Sequence, residues 1–187
     1  ASIADATLDF ETGVLRDEPL FLICGETGAG KSTLFRMMLG FIEPTAGSVS
    51  RLPRADFVFV PQGNTLLSGS VRYNLLLAKP EATEEELWAV LHTACADFVR
   101  DLPQGLDSEL GERGCGLSEG QAERIAVARG LLRPGSIMLL DEISAALDEA
   151  TEREMYQRLF KAYPQKTMIF ITHRPAVCDL CDEIVKL

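Results

Sequence analysis

An apolar run, Leu20–Cys24, meets the glycine-rich stretch Gly25-Glu-Thr-Gly-Ala-Gly-Lys-Ser32, and apolar residues at helical spacing (Leu34, Phe35, Met38, Leu39) follow at once, up to Gly40. This order predicts a buried strand, a tight turn and a buried helix that stops at a glycine. Gly25, Gly28 and Gly30 can take φ > 0 and let the backbone approach a ligand closely. Successive N–H groups at the N-terminus of the helix then point at bound anionic oxygens. A polyphosphate fits such a cradle. Glu26, Thr27, Ala29 and Thr33 complete the loop and first turn around it. Lys31 can reach the β- and γ-phosphates as a point charge, and Ser32 can offer its hydroxyl to Mg²⁺.

Three further apolar runs, Phe57–Val60, the one before Asp141 and the one before Thr172, lack polar alternation. That pattern is expected of strands covered on both faces and predicts a largely parallel sheet. Between the strand near Val60 and the one starting near Ser136 lies a long section of helical character, which reads as an inserted helical subdomain. Within it, Thr83 and Glu86 form a capping box ahead of Leu87, Leu91, Ala94 and Phe98, one face of an amphipathic helix. His92 on this helix is given no functional role.

The chain has 187 residues, 47% apolar and 25% charged, which suits one domain with a proper core and a possible subdomain. Its net charge of −10 disfavours a partner recognised by neutralising a phosphate backbone, so no nucleic acid is expected. The longest apolar runs, Ile137–Leu140 and Met168–Ile171, are far short of the roughly 20 residues of a membrane span, and no signal peptide opens the chain. The chain itself is therefore expected to lie outside the bilayer. Its five cysteines, odd in number and scattered, suit a reducing compartment. Cys24 is expected in the core. Cys178 and Cys181 form a lone C-x-x-C pair that reads as two helix neighbours better than as a zinc or redox site.

Ser136-Ile-Met-Leu-Leu-Asp141-Glu142 is an apolar strand that ends in two carboxylates, the Walker B pattern, and it complements the Walker A pattern of Gly25–Ser32. Successive strand residues point opposite ways, so Asp141 could reach a Mg²⁺ shell while Glu142 orients a water as general base. Leu117-Ser-Glu-Gly-Gln121 combines an S-x-x-Q capping box with the following Ala-Glu-Arg-Ile-Ala-Val-Ala-Arg129. Together these stretches resemble the ATP-binding-cassette (ABC) ATPases, whose signature motif has Gly where this chain has Glu119.

The resemblance implies the rest of the site. Gln62 in Val-Pro-Gln matches the glutamine that touches Mg²⁺ and the attacking water. Ala145-Ala-Leu-Asp148 looks like the D-loop, with Ala145 in place of Ser, and Ile143 stands where a proline is usual. His173 resembles the switch histidine at the γ-phosphate. Phe10 is the candidate for stacking on adenine. Ser108–Gly114 and Leu67–Asn74 resemble exporter patterns. The segments Arg16–Leu20 and Ser48–Ala55 are shorter than the family pattern, which suggests residues missing from both.

The implied fold is α/β: a P-loop NTPase core over about 1–70 and 134–187 with a mainly parallel sheet, a small N-terminal antiparallel β part, and a helical subdomain over about 71–133. The implied function is that of the nucleotide-binding domain of an ABC transporter, of the exporter type, hydrolysing ATP with Mg²⁺. Glu142, His173, Gln62 and Lys31 would act in catalysis, and Ser32, Gln62 and Asp141 would face the metal. Ser118, Gly120 and Gln121 would contact nucleotide held by a second such domain. A transmembrane domain would be the other partner, which puts this chain at the cytoplasmic face of the inner or plasma membrane. Two rivals are a soluble ABC ATPase acting on DNA, ribosomes or an assembly partner, and a regulatory domain that only binds ATP. The acidic charge opposes the first, and Glu142 with His173 opposes the second.

Overall fold

Residues 20–26, 28–49, 52–111, 116–174 and 180–187 are described by the computed structural model. The strands are β1 (Leu20–Cys24), β2 (Phe57–Val60), β3 (Gly69–Ser70), β4 (Glu109–Leu110), β5 (Ile137–Asp141), β6 (Thr167–Ile171) and β7 (Glu183–Lys186). Five of them form a parallel sheet in the order β2-β5-β6-β1-β7. The helices are α1 (Lys31–Met38), α2 (Val71–Leu76), α3 (Glu84–Thr93), α4 (Glu119–Leu131) and α5 (Glu149–Ala162).

Side chains of successive strand residues leave opposite faces of this sheet. Phe21, Ile23, Ile137, Leu139, Ile169 and Ile171 share one core with Phe35 and Met38 of α1. Leu22, Val58, Val60, Met138, Leu140, Met168 and Phe170 share the other with residues of α2 to α5. Every residue of β5 and β6 is buried, which explains why their sequences carry no polar alternation.

The described antiparallel pair joins β3 to β4, with Gly69 opposite Leu110. The antiparallel part expected near the N-terminus falls on residues 1–19, outside the described residues, as does most of the Arg16–Leu20 segment; Ser50 and Arg51 of the other short segment are outside them too.

Helix α3 begins as its sequence predicts: Thr83 Oγ1 accepts from Glu86 N–H at 3.3 Å, and Glu86 Oε2 accepts from Thr83 N–H at 2.9 Å. Its end departs from the expectation. The helix stops at Thr93, Cys95 turns left-handed at φ 53°, and Phe98 lies in a separate 3₁₀ turn, Asp97–Asp101. Arg124 of α4 donates to the Cys95 carbonyl at 2.6 Å and so holds the break open. Cys24 is half-buried at the end of β1, not a core residue.

Candidate functional site

Four neighbouring strands, β2, β5, β6 and β1, end on the same side of the parallel sheet, and each delivers a candidate residue there. In open parallel sheets this carboxyl edge is where ligands bind. The glycine loop leaves β1, Gln62 lies just past β2, Asp141 closes β5, and His173 lies just past β6.

The loop after β1 is built as its glycines allow. Gly28 and Gly30 adopt φ 88° and 102°, conformations that strain any residue with a Cβ. Helices α2, α3, α4 and α5 start with side-chain caps at Ser70, Thr83, Ser118 and Asp148, whereas α1 starts at Gly30 with no side-chain cap. The first-turn N–H groups of α1 are thus left to an outside acceptor, and the positive end of the helix favours an anion. Lys31 is buried, and its ammonium donates to the carbonyls of Gly25 at 2.9 Å and Glu26 at 3.0 Å. Those carbonyls hold it across the mouth of the loop. Thr27 and Phe10 lie outside the described residues.

Alternation along β5 separates the two carboxylates. Asp141 shares its face with Ile137 and Leu139, the face that α1 covers, and Ser32 Oγ of α1 donates to Asp141 Oδ1 at 3.4 Å. Burial pushes the Asp141 carboxyl above its ordinary value, the Ser32 hydrogen bond opposes that shift, and the neighbouring Glu142 charge reinforces it. A buried carboxylate of this kind is stabilised by a cation. Among the described residues no group of three or more His, Cys, Asp or Glu side chains forms a metal site. The donor set fits a hard ion such as Mg²⁺, which uses one or two carboxylates and takes its other ligands from water and phosphate oxygens.

Glu142 leaves the strand in a left-handed conformation, φ 49°, costly for a non-glycine residue and typical of functional positions. Its N–H still pairs with the Ile171 carbonyl at 2.9 Å, so the sheet fixes its backbone. Gln62 Nε2 donates to Glu142 Oε2 at 3.0 Å, and His173 Nε2 lies 3.0 Å from Glu142 Oε1. A carboxylate is thereby clamped between an amide and an imidazole. With the Gln62 nitrogen turned to Glu142, the amide oxygen is the atom left to face a cation.

The Ser118–Gln121 turn stands apart from this group. Ser118 Oγ accepts from Gln121 N–H at 3.2 Å, and Gln121 Oε1 accepts from Ser118 N–H at 2.9 Å, a closed capping box. The Ser118 hydroxyl keeps its proton to donate elsewhere. Gly120 is buried, and a Cβ there would stand 2.8 Å from Leu147 Cδ2 and 2.9 Å from the Ala146 carbonyl oxygen. Glycine at this position lets the loop after β5 lie against the start of α4. Sequence reasoning missed what else holds that loop: Arg174, Glu152, Glu123 and Ser144.

A family model described as ABC transporter matches residues 10–145, more than half of the chain. The "Heavy metal tolerance protein" of Schizosaccharomyces pombe is 38% identical over 175 residues, covering 87% of this chain and 21% of that protein. The "Multidrug resistance ABC transporter ATP-binding and permease protein" of Lactococcus lactis is 33% identical over 200 residues, covering 96% of this chain and 34% of that protein. Among solved structures, a bacterial Atm1-family ABC exporter with ATP bound superposes with a TM-score of 0.82 at 34% identity, over 90% of this chain and 32% of that one. The chain thus spans about a fifth to a third of the length of these relatives. Among the described residues no helix is long and apolar enough to cross a membrane.

Proposed function

The chain belongs to the ABC transporter family, and we propose that it is the nucleotide-binding domain of an exporter, hydrolysing ATP to ADP and phosphate. In this reading 1–70 and 134–187 form the nucleotide core, and 71–133 is a helical subdomain that faces the transmembrane partner on the cytoplasmic side of the membrane. The observation that carries the reading is the clamp on Glu142, held by Gln62 and His173 at the edge where the glycine loop and Asp141 converge. A binding-only domain has no use for a strained carboxylate held this way.

The uncapped start of α1 and the N–H groups of the loop hold the phosphates of ATP. Lys31 exchanges its bonds to Gly25 and Glu26 for β- and γ-phosphate oxygens. Ser32 and Asp141 would hold Mg²⁺, with the Gln62 oxygen beside them; when bound, the ion neutralises charge that builds on the phosphates. Glu142 orients a water in line with the γ-phosphorus and takes its proton as the new P–O bond forms and the bond to the β–γ bridging oxygen breaks. His173 fixes one Glu142 oxygen through Nε2, and with ATP bound that same N–H is the donor it can offer a γ-phosphate oxygen in exchange. Ser118, Gly120 and Gln121 serve the γ-phosphate of a second nucleotide-binding domain, since the Ser118 hydroxyl retains a donor and the start of α4 favours an anion.

Phosphate release by the full-length protein that carries this chain tests the proposal. Release that needs both ATP and Mg²⁺ supports it. ATP bound with Mg²⁺ but not cleaved, in the presence of every partner subunit, would overturn it.

A further inference from the structure

The loop between β5 and α5 is where three elements of the site are tied together. Arg174, the residue after His173, donates from one guanidinium nitrogen to the Leu147 carbonyl at 2.5 Å and from the other to the Ala145 carbonyl at 2.7 Å. Its first nitrogen also lies 3.4 Å from Glu152 Oε2. Glu152 is wholly buried on α5, where its other oxygen accepts from Ser144 Oγ at 2.5 Å; Tyr156 OH lies 3.0 Å from the same Oγ. The Arg174 N–H is itself held by Thr172 Oγ1 at 3.1 Å. From the other side, buried Glu123 of α4 accepts from the Ala146 N–H, and Gly120 packs against Ala146 and Leu147. The loop then passes into Asp148, which caps α5 through Thr151 N–H at 2.9 Å.

We infer that Arg174 is a positioning residue for hydrolysis: by pinning the loop 144–147 to the end of β6, it sets where His173 meets Glu142 and ties that contact to the Ser118–Gln121 end of α4. The inference rests on the ATPase reading above. Two features favour this over a purely structural role. Arg174 is covalently next to His173, so the guanidinium anchors the histidine backbone within one residue of its ring. Its forked donors engage two carbonyls of one loop, a geometry that a point charge cannot copy. Reacting groups displaced by about 1 Å lose up to roughly a hundredfold in rate, so a small drift of this anchor is enough to register.

The test uses the full-length protein. Arg174→Ala should lower kcat by roughly ten- to a hundredfold with the KM for ATP held, because Lys31, Ser32 and Asp141 do not touch it. Arg174→Lys should restore part of kcat, since one carbonyl can still be bonded. Removing Arg174 leaves a buried Glu152 without its cation, so the pair Arg174→Ala/Glu152→Gln, which keeps an acceptor for Ser144, provides a second, neutral variant; it should show the same loss. In a His173→Ala background, single-turnover cleavage should not slow further on adding Arg174→Ala; where that background cleaves too slowly to read, the KM-against-kcat split and the lysine rescue decide. An unchanged kcat, a loss carried by KM, or the same loss with and without His173 would overturn the inference alone. A wild-type protein that binds but never cleaves ATP would overturn the ATPase reading, and this inference with it.

Discussion

Replacing Gly120 with alanine sets two effects of different size against each other. Alanine is favoured over glycine within a helix by at most about 1 kcal/mol, and by less at the second residue of α4. Against this, the added methyl would stand 2.8 Å from Leu147 Cδ2, 2.9 Å from the Ala146 carbonyl oxygen and 3.4 Å from its carbon. The leucine tip could turn, but the carbonyl cannot retreat freely, because Arg174 holds the carbonyls on either side and Glu123 holds the Ala146 N–H. Overpacking of this kind costs about 1–3 kcal/mol, so the clash outweighs the helix gain and leaves a net loss of roughly 1–2 kcal/mol. For a domain of this size each kcal/mol lowers Tm by about 2–4 °C, so a fall of roughly 2–8 °C is expected. Thermal unfolding of the two proteins side by side reads it, and ATP turnover should drop as well, since the methyl displaces the loop that leads to Asp148. A Tm equal to or above that of the glycine protein would refute the reasoning, because helix propensity would then have won over a contact held to be rigid.

Lys31→Ala removes two bonds to loop carbonyls and the charge that the proposed function directs at the phosphates; hydrogen bonds to charged groups are worth about 1.5–3 kcal/mol, so calorimetric titration should find ATP affinity weakened roughly ten- to a hundredfold. Glu123 is buried with Oε2 unpartnered, and desolvation raises its folded-state value above the ordinary 4.5. The folded protein therefore holds that proton where the unfolded chain has lost it, so stability falls as pH rises from the ordinary value to the raised one and stays low above it. Glu123→Gln keeps an acceptor for the Ala146 N–H and should raise Tm at pH 7, with the gain vanishing below the ordinary value; a gain that does not depend on pH would mean that ionisation is not its source.

Much of the candidate site is legible in the sequence because its parts announce themselves locally. Gly25–Ser32 sits between an apolar strand and a helix, and Asp141-Glu142 ends an apolar run, so period and position suffice. Gln62 and His173 are different. Nothing in their neighbourhoods says that they meet on Glu142; that follows from the parallel sheet, which brings the carboxyl ends of β2, β5 and β6 side by side. The end of α3 was not readable because its break needs no glycine or proline: Cys95 takes the left-handed turn, and a distant arginine holds it. The network under the loop 144–147 did leave one signal. Glu152 falls on the same helical stripe as Met155, Tyr156 and Leu159, a charge in the middle of an apolar face, which marks a buried carboxylate with a partner to be found elsewhere in the chain.

The central claim, that Glu142 acts on water and does not hold the nucleotide, is tested most directly by single-turnover cleavage of ATP with the full-length protein in excess. Glu142 accepts from both Gln62 and His173, and a glutamine there offers one acceptor where two are used, while Lys31, Ser32 and Asp141 keep their places. With Glu142→Gln, ATP should bind fully, yet its cleavage should slow by about 10²- to 10⁴-fold, or roughly 2.7–5.4 kcal/mol in barrier height. Bound ATP cleaved at the wild-type rate would contradict the account, because the proton would then be leaving the attacking water by another route.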